Sequence, residues 1–309
     1  MTSVPVTENS APAPSRPVPA RDGRDARVVL PTRHPARWAM AVVVLLIVAG
    51  GITQVIGNER FQWDVVGDYL FAQPILQGVA KTLMLTAAAM AIGVGLGVVI
   101  AVLRLSPNPI LSSAAWTYSW FFRGTPLLVQ LLFWYFLAAL YPTIGVGGVS
   151  WSANELISPL TAALLGLGLN EAAYMSEIVR SGILSVPPGQ AEAASAVGMR
   201  RSQVMRRVVL PQAMRVIIPP TGNETIGMLK HTALVLVIGY TELMTTASNI
   251  YSRTYQTIPL LIVAALWYLA ISAVLSVGQY FIERHFGRGF SNHRVSRKGS
   301  RVRKGEAVA

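Results

Sequence analysis

Thr254–Ile282 reads TYQTIPLLIVAALWYLAISAVLSVGQYFI, 29 residues without a charged side chain. A helix needs about 20 such residues to cross the hydrocarbon core of a bilayer. In that medium the backbone must satisfy its own polar groups, so an open stretch of this kind is read as helix. Working outward, Trp38–Ile56 is a second uncharged run, of nineteen residues, and Thr82–Leu103 is a third, closed by Arg104 and the turn Ser106-Pro107-Asn108-Pro109. The whole chain is 52% hydrophobic and 13% charged with mean hydropathy +0.48, whereas soluble domains carry roughly a quarter charged residues. Lipid is therefore the main solvent. There are no cysteines, which excludes disulfides and thiolate metal sites, and the four histidines show no metal-binding spacing.

The remaining spans are shorter or more polar. Ile110–Phe122 carries Trp116, Tyr118, Trp120, Phe121 and Phe122, an aromatic segment suited to the membrane interface. Arg123-Gly124-Thr125-Pro126 opens a third span to about Tyr141, a Gly-rich loop covers Pro142–Ser152, and a fourth span runs from about Asn154 to Val179. A fifth, residues 209–247, is expected to be broken at Pro219-Pro220 and Lys230-His231. In the second span, Gly93, Gly95 and Gly97 predict close approach of a neighbouring helix.

The formal charge is +12, from 26 Lys+Arg against 14 Asp+Glu, and the basic residues flank the apolar runs. Arg33, Arg37, Arg104, Arg123, the 180–207 cluster and the tail fall on one side, with Arg60 and Arg253 on the other. The positive-inside rule then gives six spans with both termini cytoplasmic in a multi-pass plasma (inner) membrane protein. The expected divisions are a disordered tail at 1–35, an additional retained helix at 36–57, a membrane domain at 76–285 and a basic tail at 286–309. Residues 57–75 read as an external loop lying on the interface.

The polar interruption at 181–208 looks like two helical pieces. Pro187-Pro188-Gly189 breaks the exit from the fourth span. Ala191, Ala194, Ser195, Gly198 and Ser202 then fall at helical spacing, a stripe of small residues on one face. Geometry alone leaves two readings open: a turn packed on its own bundle, or a surface for another protein.

Glu192-Ala193-Ala194, three residues, Gly198, nine residues, Val208, one residue and Leu210-Pro211 resembles the EAA loop of ABC importer permeases. Phe122-Arg123-Gly124-Thr125-Pro126-Leu127-Leu128-Val129-Gln130, Ala172–Arg180, Gly189-Gln190 and Leu210-Pro211-Gln212-Ala213 are similar to the branch that carries polar amino acids. Together they cover roughly residues 76–285. The resemblance implies an all-α membrane protein, with one extra N-terminal span added to a five-span type I importer core and a cytoplasmic coupling helix. Gly189, Glu192, Ala193, Ala194, Gly198, Leu210 and Pro211 would form the ATPase-coupling loop, with Glu192 a polar contact and Ala193, Ala194 and Gly198 the close-packing surface. Implied partners are an ATP-binding cassette subunit, a second permease subunit (identical or different), an extracytoplasmic substrate-binding protein and the lipid bilayer. No cofactor is bound by this chain; ATP and Mg belong to the partner ATPase. Two departures stand out. Arg200 occupies the position where the family commonly places Ser to cap a second helix, and Lys230-His231-Thr232-Ala233-Leu234 replaces the usual Lys-Asp/Thr-Thr-Ser-Leu.

Ionisable groups inside the spans mark either pathways or internal pairs, since each costs about 2.5–3.5 kcal/mol at a helix centre. Asn170, Glu171, Asn223, Glu224, Lys230 and Thr232 are the candidates for a substrate path. Glu171 and Glu224 suit an ammonium group, and Lys230 or freed backbone N–H groups a carboxylate. An internal Glu–Lys or Asn–backbone network is the competing reading. Glu177 and Arg180 are expected nearer the cytoplasm, as a gate or a support for the loop. The lysines Lys81, Lys230, Lys298 and Lys304 do not follow a phosphate-binding Gly-rich pattern, so no catalytic residues are assigned. A secondary transporter or channel is the alternative function. A DNA-binding regulator is disfavoured for want of a helix-turn-helix, and no nucleic-acid partner is expected.

Overall fold

A computed structural model describes residues 35–146 and 149–286. The expected tails at 1–35 and 286–309 lie outside those residues, save their border positions. The chain divides into two compact units, residues 1–58 and 59–309. In the first, α1 (Pro35–Gly57) is a 23-residue helix about 34 Å long, enough to cross a hydrocarbon core. Its side chains from Trp38 onward are all exposed, as befits a helix solvated by lipid.

The second unit is a helical bundle. Its elements are α2 (Trp63–Leu70), α3 (Gln73–Arg104), α4 (Pro109–Gly124), α5 (Leu127–Tyr135), α6 (Leu137–Leu140), α7 (Ala153–Leu156), α8 (Pro159–Leu184), α9 (Pro188–Ala196), α10 (Arg201–Val204), α11 (Leu210–His231), α12 (Leu243–Thr254) and α13 (Thr257–Phe286). Among the described residues the departure from helix is a hairpin, β1 (Thr143–Val146) and β2 (Val149–Ser152), paired antiparallel with Thr143 opposite Ser152. The sequence had suggested only a Gly-rich loop there, and a wholly α fold. The external loop expected at 57–75 likewise contains α2.

α3 and α8 form the spine. A Cβ added at Gly93 would lie 2.4 Å from Glu171 Cγ, and one at Gly97 would lie 2.5 Å from Met175 Cβ. Glycine at these two positions is what lets the helices approach, whereas Gly95 faces open space. The starts of α4 and α8 are capped as their sequences dictate. Asn108 accepts from the Ile110 N–H at 2.9 Å ahead of Pro109, and Ser158 accepts from the Thr161 N–H at 3.1 Å ahead of Pro159.

Among the described residues, three helices are long and apolar enough to cross a membrane, or four if the bent pair around residues 201–254 is one span. The expected third span begins differently. Arg123 and Gly124 end α4 rather than opening the next helix, because Pro126 forces Thr125 into extended backbone (φ −111°, ψ 144°). α5 and α6 then supply only short helices.

Of the two breaks expected in the fifth span, the one at Pro219-Pro220 is absent, while the α-helix does end at His231. α11 runs unbroken through Pro219-Pro220 and on to His231. Prolines are tolerated in membrane helices, and the carbonyls that Pro219 and Pro220 leave without an intrahelical N–H are those of Arg215 and Val216. Around them Thr221 donates to the Ile217 carbonyl at 2.8 Å, and Gln279 donates to the Pro219 carbonyl at 2.7 Å, tying this stretch to α13. The sharp bend comes after the 3₁₀ segment that follows, Thr232–Ile238, where Gly239 takes φ +73° and α12 sets off at 46°. Before α11, Pro211 has no N–H to offer, and the preceding turn, Met205–Val209, widens into a π-helix.

Candidate functional site

α8 presents Asn170, Glu171 and Tyr174 toward a cavity of about 430 Å3; α11 contributes Glu224 and His231, and the end of α4 contributes Arg123. Asn170 and Glu171 are buried, and Glu171 is 2% exposed with its methylenes against Gly93. Glu171 Oε1 is buried and has no hydrogen-bond partner among the described residues. A buried carboxylate oxygen left so is costly unless a ligand or solvent completes it.

Asn170 is held differently. Its Nδ2 donates to the Phe122 carbonyl at 2.9 Å and to Gln130 Oε1 at 3.3 Å. Gln130 Nε2 donates to Thr125 Oγ1 at 2.8 Å and again to the Phe122 carbonyl at 2.9 Å. This amide pair satisfies carbonyls orphaned where α4 stops, and so fixes the break beside the cavity.

Three of the six path residues meet here: Asn170, Glu171 and Glu224. The other three do not line the cavity. Asn223 and Lys230 are exposed, and the buried Thr232 hydroxyl is spent on the Leu229 carbonyl at 2.7 Å. Helical phase explains the difference. Glu224 and His231 are seven apart on α11 and share a face, whereas Lys230 is rotated roughly 100° from His231. That spacing could have pointed to His231 in the sequence. Arg123 takes the cationic place expected of Lys230. Its guanidinium carbon lies 5.5 Å from the centre of the Tyr174 ring, within cation–π range.

Below the cavity, Glu177 on α8 collects three guanidinium groups. Arg104 is in direct contact, Arg180 lies at 3.5 Å and Arg123 at 3.8 Å. Glu177 and Arg180 thus form an ion cluster tying the ends of α3 and α4 to α8.

The loop after α8 corrects the expected small-residue stripe. α9 ends at Ala196, so Gly198 and Ser202 do not continue its face. Gly198 has φ +84°; its N–H donates to the Ser195 carbonyl at 3.0 Å, and the Met199 N–H donates to the Ala194 carbonyl at 3.2 Å. This is the Schellman termination, in which glycine is favoured for its backbone. Nothing of this chain lies within 4 Å of a Cβ built on Gly198, so packing within the chain is not what requires glycine here. Ala194 is also turned inward, packed with Val204, Val209, Ala213 and Ile217. Gly189, Glu192 and Ala193 are exposed on α9; Pro211 is exposed and Leu210 half-buried at the start of α11. Where Arg200 replaces a capping Ser, Gln203 Oε1 accepts the Arg200 N–H at 2.9 Å and supplies the reciprocal half of a capping box.

One carboxylate was missed in the sequence. Glu242 is fully buried at the start of α12. Its Oε1 accepts from the Thr245 N–H at 2.8 Å and the Thr245 hydroxyl at 3.1 Å. Its Oε2 accepts from Tyr268 on α13 at 2.8 Å and Thr82 on α3 at 3.1 Å. It anchors the bent span to two neighbours.

The family described as "Binding-protein-dependent transport system inner membrane component" matches residues 93–288. The chain is 47% identical over 270 residues to the "Arginine transport system permease protein ArgU" of Corynebacterium glutamicum, covering 87% of this chain and 85% of that one. It is 39% identical to the "Histidine/lysine/arginine/ornithine transport system permease protein HisM" of Salmonella typhimurium, over 64% of this chain and 83% of that one. A solved structure described as "Crystal structure of an amino acid ABC transporter with histidines" aligns with TM-score 0.61 and 37% identity, over 69% of this chain and 94% of its own. The chain belongs to the family of binding-protein-dependent transport system inner membrane components, as a permease subunit of an ABC importer.

Proposed function

We propose that this permease moves cationic amino acids inward, holding them in the cavity between α8, α11 and the end of α4. The observation that carries this is a single cavity lined by two carboxylates, Glu171 of α8 and Glu224 of α11, together with Arg123 at the end of α4. A cationic amino acid has two positive groups and one carboxylate, so two acids and one arginine are its complement. The names of the relatives, with arginine in both, agree with that chemistry.

In this reading six spans cross the plasma membrane with both termini cytoplasmic. They comprise the extra helix at 36–57 and the importer domain at 76–285, flanked by tails at 1–35 and 286–309. The basic ends of α3, α4 and α8 then face the cytoplasm. So does α9, whose exposed Glu192 and Ala193, with Gly189, Leu210 and Pro211 nearby, form the coupling helix for a separate ATP-binding cassette subunit. Gly198 holds the shape of that helix's end, and Ala194 its seat on the bundle. ATP and Mg bind the cassette subunit, a substrate-binding protein delivers cargo from outside, and a second permease, identical or different, completes the pair.

The test is reconstitution with the cassette and binding subunits, measuring uptake over a panel of amino acids. Arginine and lysine should drive transport, and Glu171→Gln should lower their uptake by roughly tenfold, the weight of one charge-assisted contact. Equal uptake of glutamate and arginine by the unaltered protein would refute the charge assignment.

A further inference from the structure

A second polar concavity lies outside the transport cavity, on the flank of α4. Its volume is about 360 Å3, and Arg104, Arg180, Ser112, Ser113 and Trp116 line it, with no carboxylate among them. Three guanidinium groups share the single carboxylate Glu177, so the cluster behind this cavity keeps an excess of positive charge. Arg180 Nε is buried and has no hydrogen-bond partner among the described residues. The Ser112 hydroxyl already donates to the Arg104 carbonyl at 3.2 Å, which holds α4 against the end of α3. The hydroxyl of Ser113, an exposed residue, adds a further donor.

The surroundings are those of a bilayer boundary. Arg104 is the last residue of the 32-residue α3, so the cavity sits where a span ends. Beside it, Ile110, Leu111, Trp116 and Trp120 are exposed, and the two indoles stack 6.3 Å apart. Exposed tryptophans of this kind settle at headgroup depth. Arginine forks and a hydroxyl over an apolar flank match a phosphate carried on acyl chains.

We propose that this cavity binds the phosphate of an anionic phospholipid, with its chains along the exposed face of α4. The assignment of the lipid to the cytoplasmic leaflet rests on the orientation given above; binding itself does not. The test is native mass spectrometry of the purified importer complex, titrated with phosphatidylglycerol or with phosphatidylcholine of the same chains. The unaltered protein should retain phosphatidylglycerol preferentially. Arg180→Gln and Ser113→Glu should each lower that retention about fivefold, the weight of one basic residue at an anionic leaflet, without changing phosphatidylcholine retention. Ser113 is exposed, so its variant keeps the test sound if Arg180→Gln disturbs the ion cluster. Excess inorganic phosphate should displace the lipid. Equal retention of both lipids, unchanged retention in Ser113→Glu, or binding of inorganic phosphate without lipid preference would each overturn the proposal. Loss of lipid preference with normal amino acid uptake leaves the transport reading intact. Loss of uptake with lipid preference kept counts against the transport reading alone.

Discussion

Gly198 separates two physical accounts of the loop after α8. If its role were close packing, the smallest replacement would be tolerated best, and Ala would outperform Asn. The observed φ of +84° and the open space around the missing Cβ predict the reverse order. A left-handed conformation costs an Ala roughly 1–2 kcal/mol, whereas Asn visits it more readily. At about 1.4 kcal/mol per decade, Gly198→Ala should deplete the terminated form of α9 by roughly 5- to 30-fold. Met199 and Ala194, joined across that terminus, would lose their register, and the exposed face of Glu192 and Ala193 would turn with them. The assay is a binding titration of the purified permease against its cassette subunit, with ATP-dependent uptake as the functional check. Gly198→Asn should bind within a few-fold of the unaltered protein, and Gly198→Ala should weaken in proportion to the conformational cost. An Ala variant that binds more tightly than the Asn variant would refute the conformational account.

Further outcomes follow from packing and charge. Gly93→Ala places a methyl 2.4 Å from Glu171 Cγ, and overpacking of that kind costs about 1–3 kcal/mol; arginine-stimulated ATPase activity should fall while Gly95→Ala, facing open space, leaves it unchanged. Glu242→Gln sets an amide N–H2 against hydroxyl or backbone donors, with a cost of about 1–3 kcal/mol for each group left unsatisfied, and should lower the thermal midpoint of the purified complex. An unchanged midpoint would mean those bonds do not hold the bent span. Glu192→Lys should cut ATP-dependent uptake by about tenfold or more, on the scale of one mispaired interface charge, with membrane insertion intact by protease protection.

What could be read from the sequence divides along the lines of locality. The close approach at Gly93 and Gly97 was legible because small residues inside an apolar run have few other uses. Asn170, Glu171 and Glu224 were legible because polar groups are scarce there. Gly95 was read with its neighbours, and only helical phase removes it. Arg123 was counted as an orientation signal, since its place in the cavity depends on where α4 stops. Lys230 was preferred over His231 although the seven-residue spacing from Glu224 favours the histidine. Glu242 was invisible for a different reason: its Thr82 partner lies 160 residues away, so no local pattern announces it. The small-residue stripe was a true pattern with the wrong geometry, because a periodicity count continues through a glycine that ends the helix.

Glu242 also sets an order of events during synthesis. Thr82 emerges first, Glu242 and Thr245 much later, and Tyr268 last. Until α13 follows, one acceptor site on the carboxylate is empty, and a charge facing hydrocarbon is strongly disfavoured. The nascent chain therefore has reason to keep the 239–245 segment near water until α13 is made. α13 thus acts twice, packing against α11 and α12 and answering the demand of a residue translated before it.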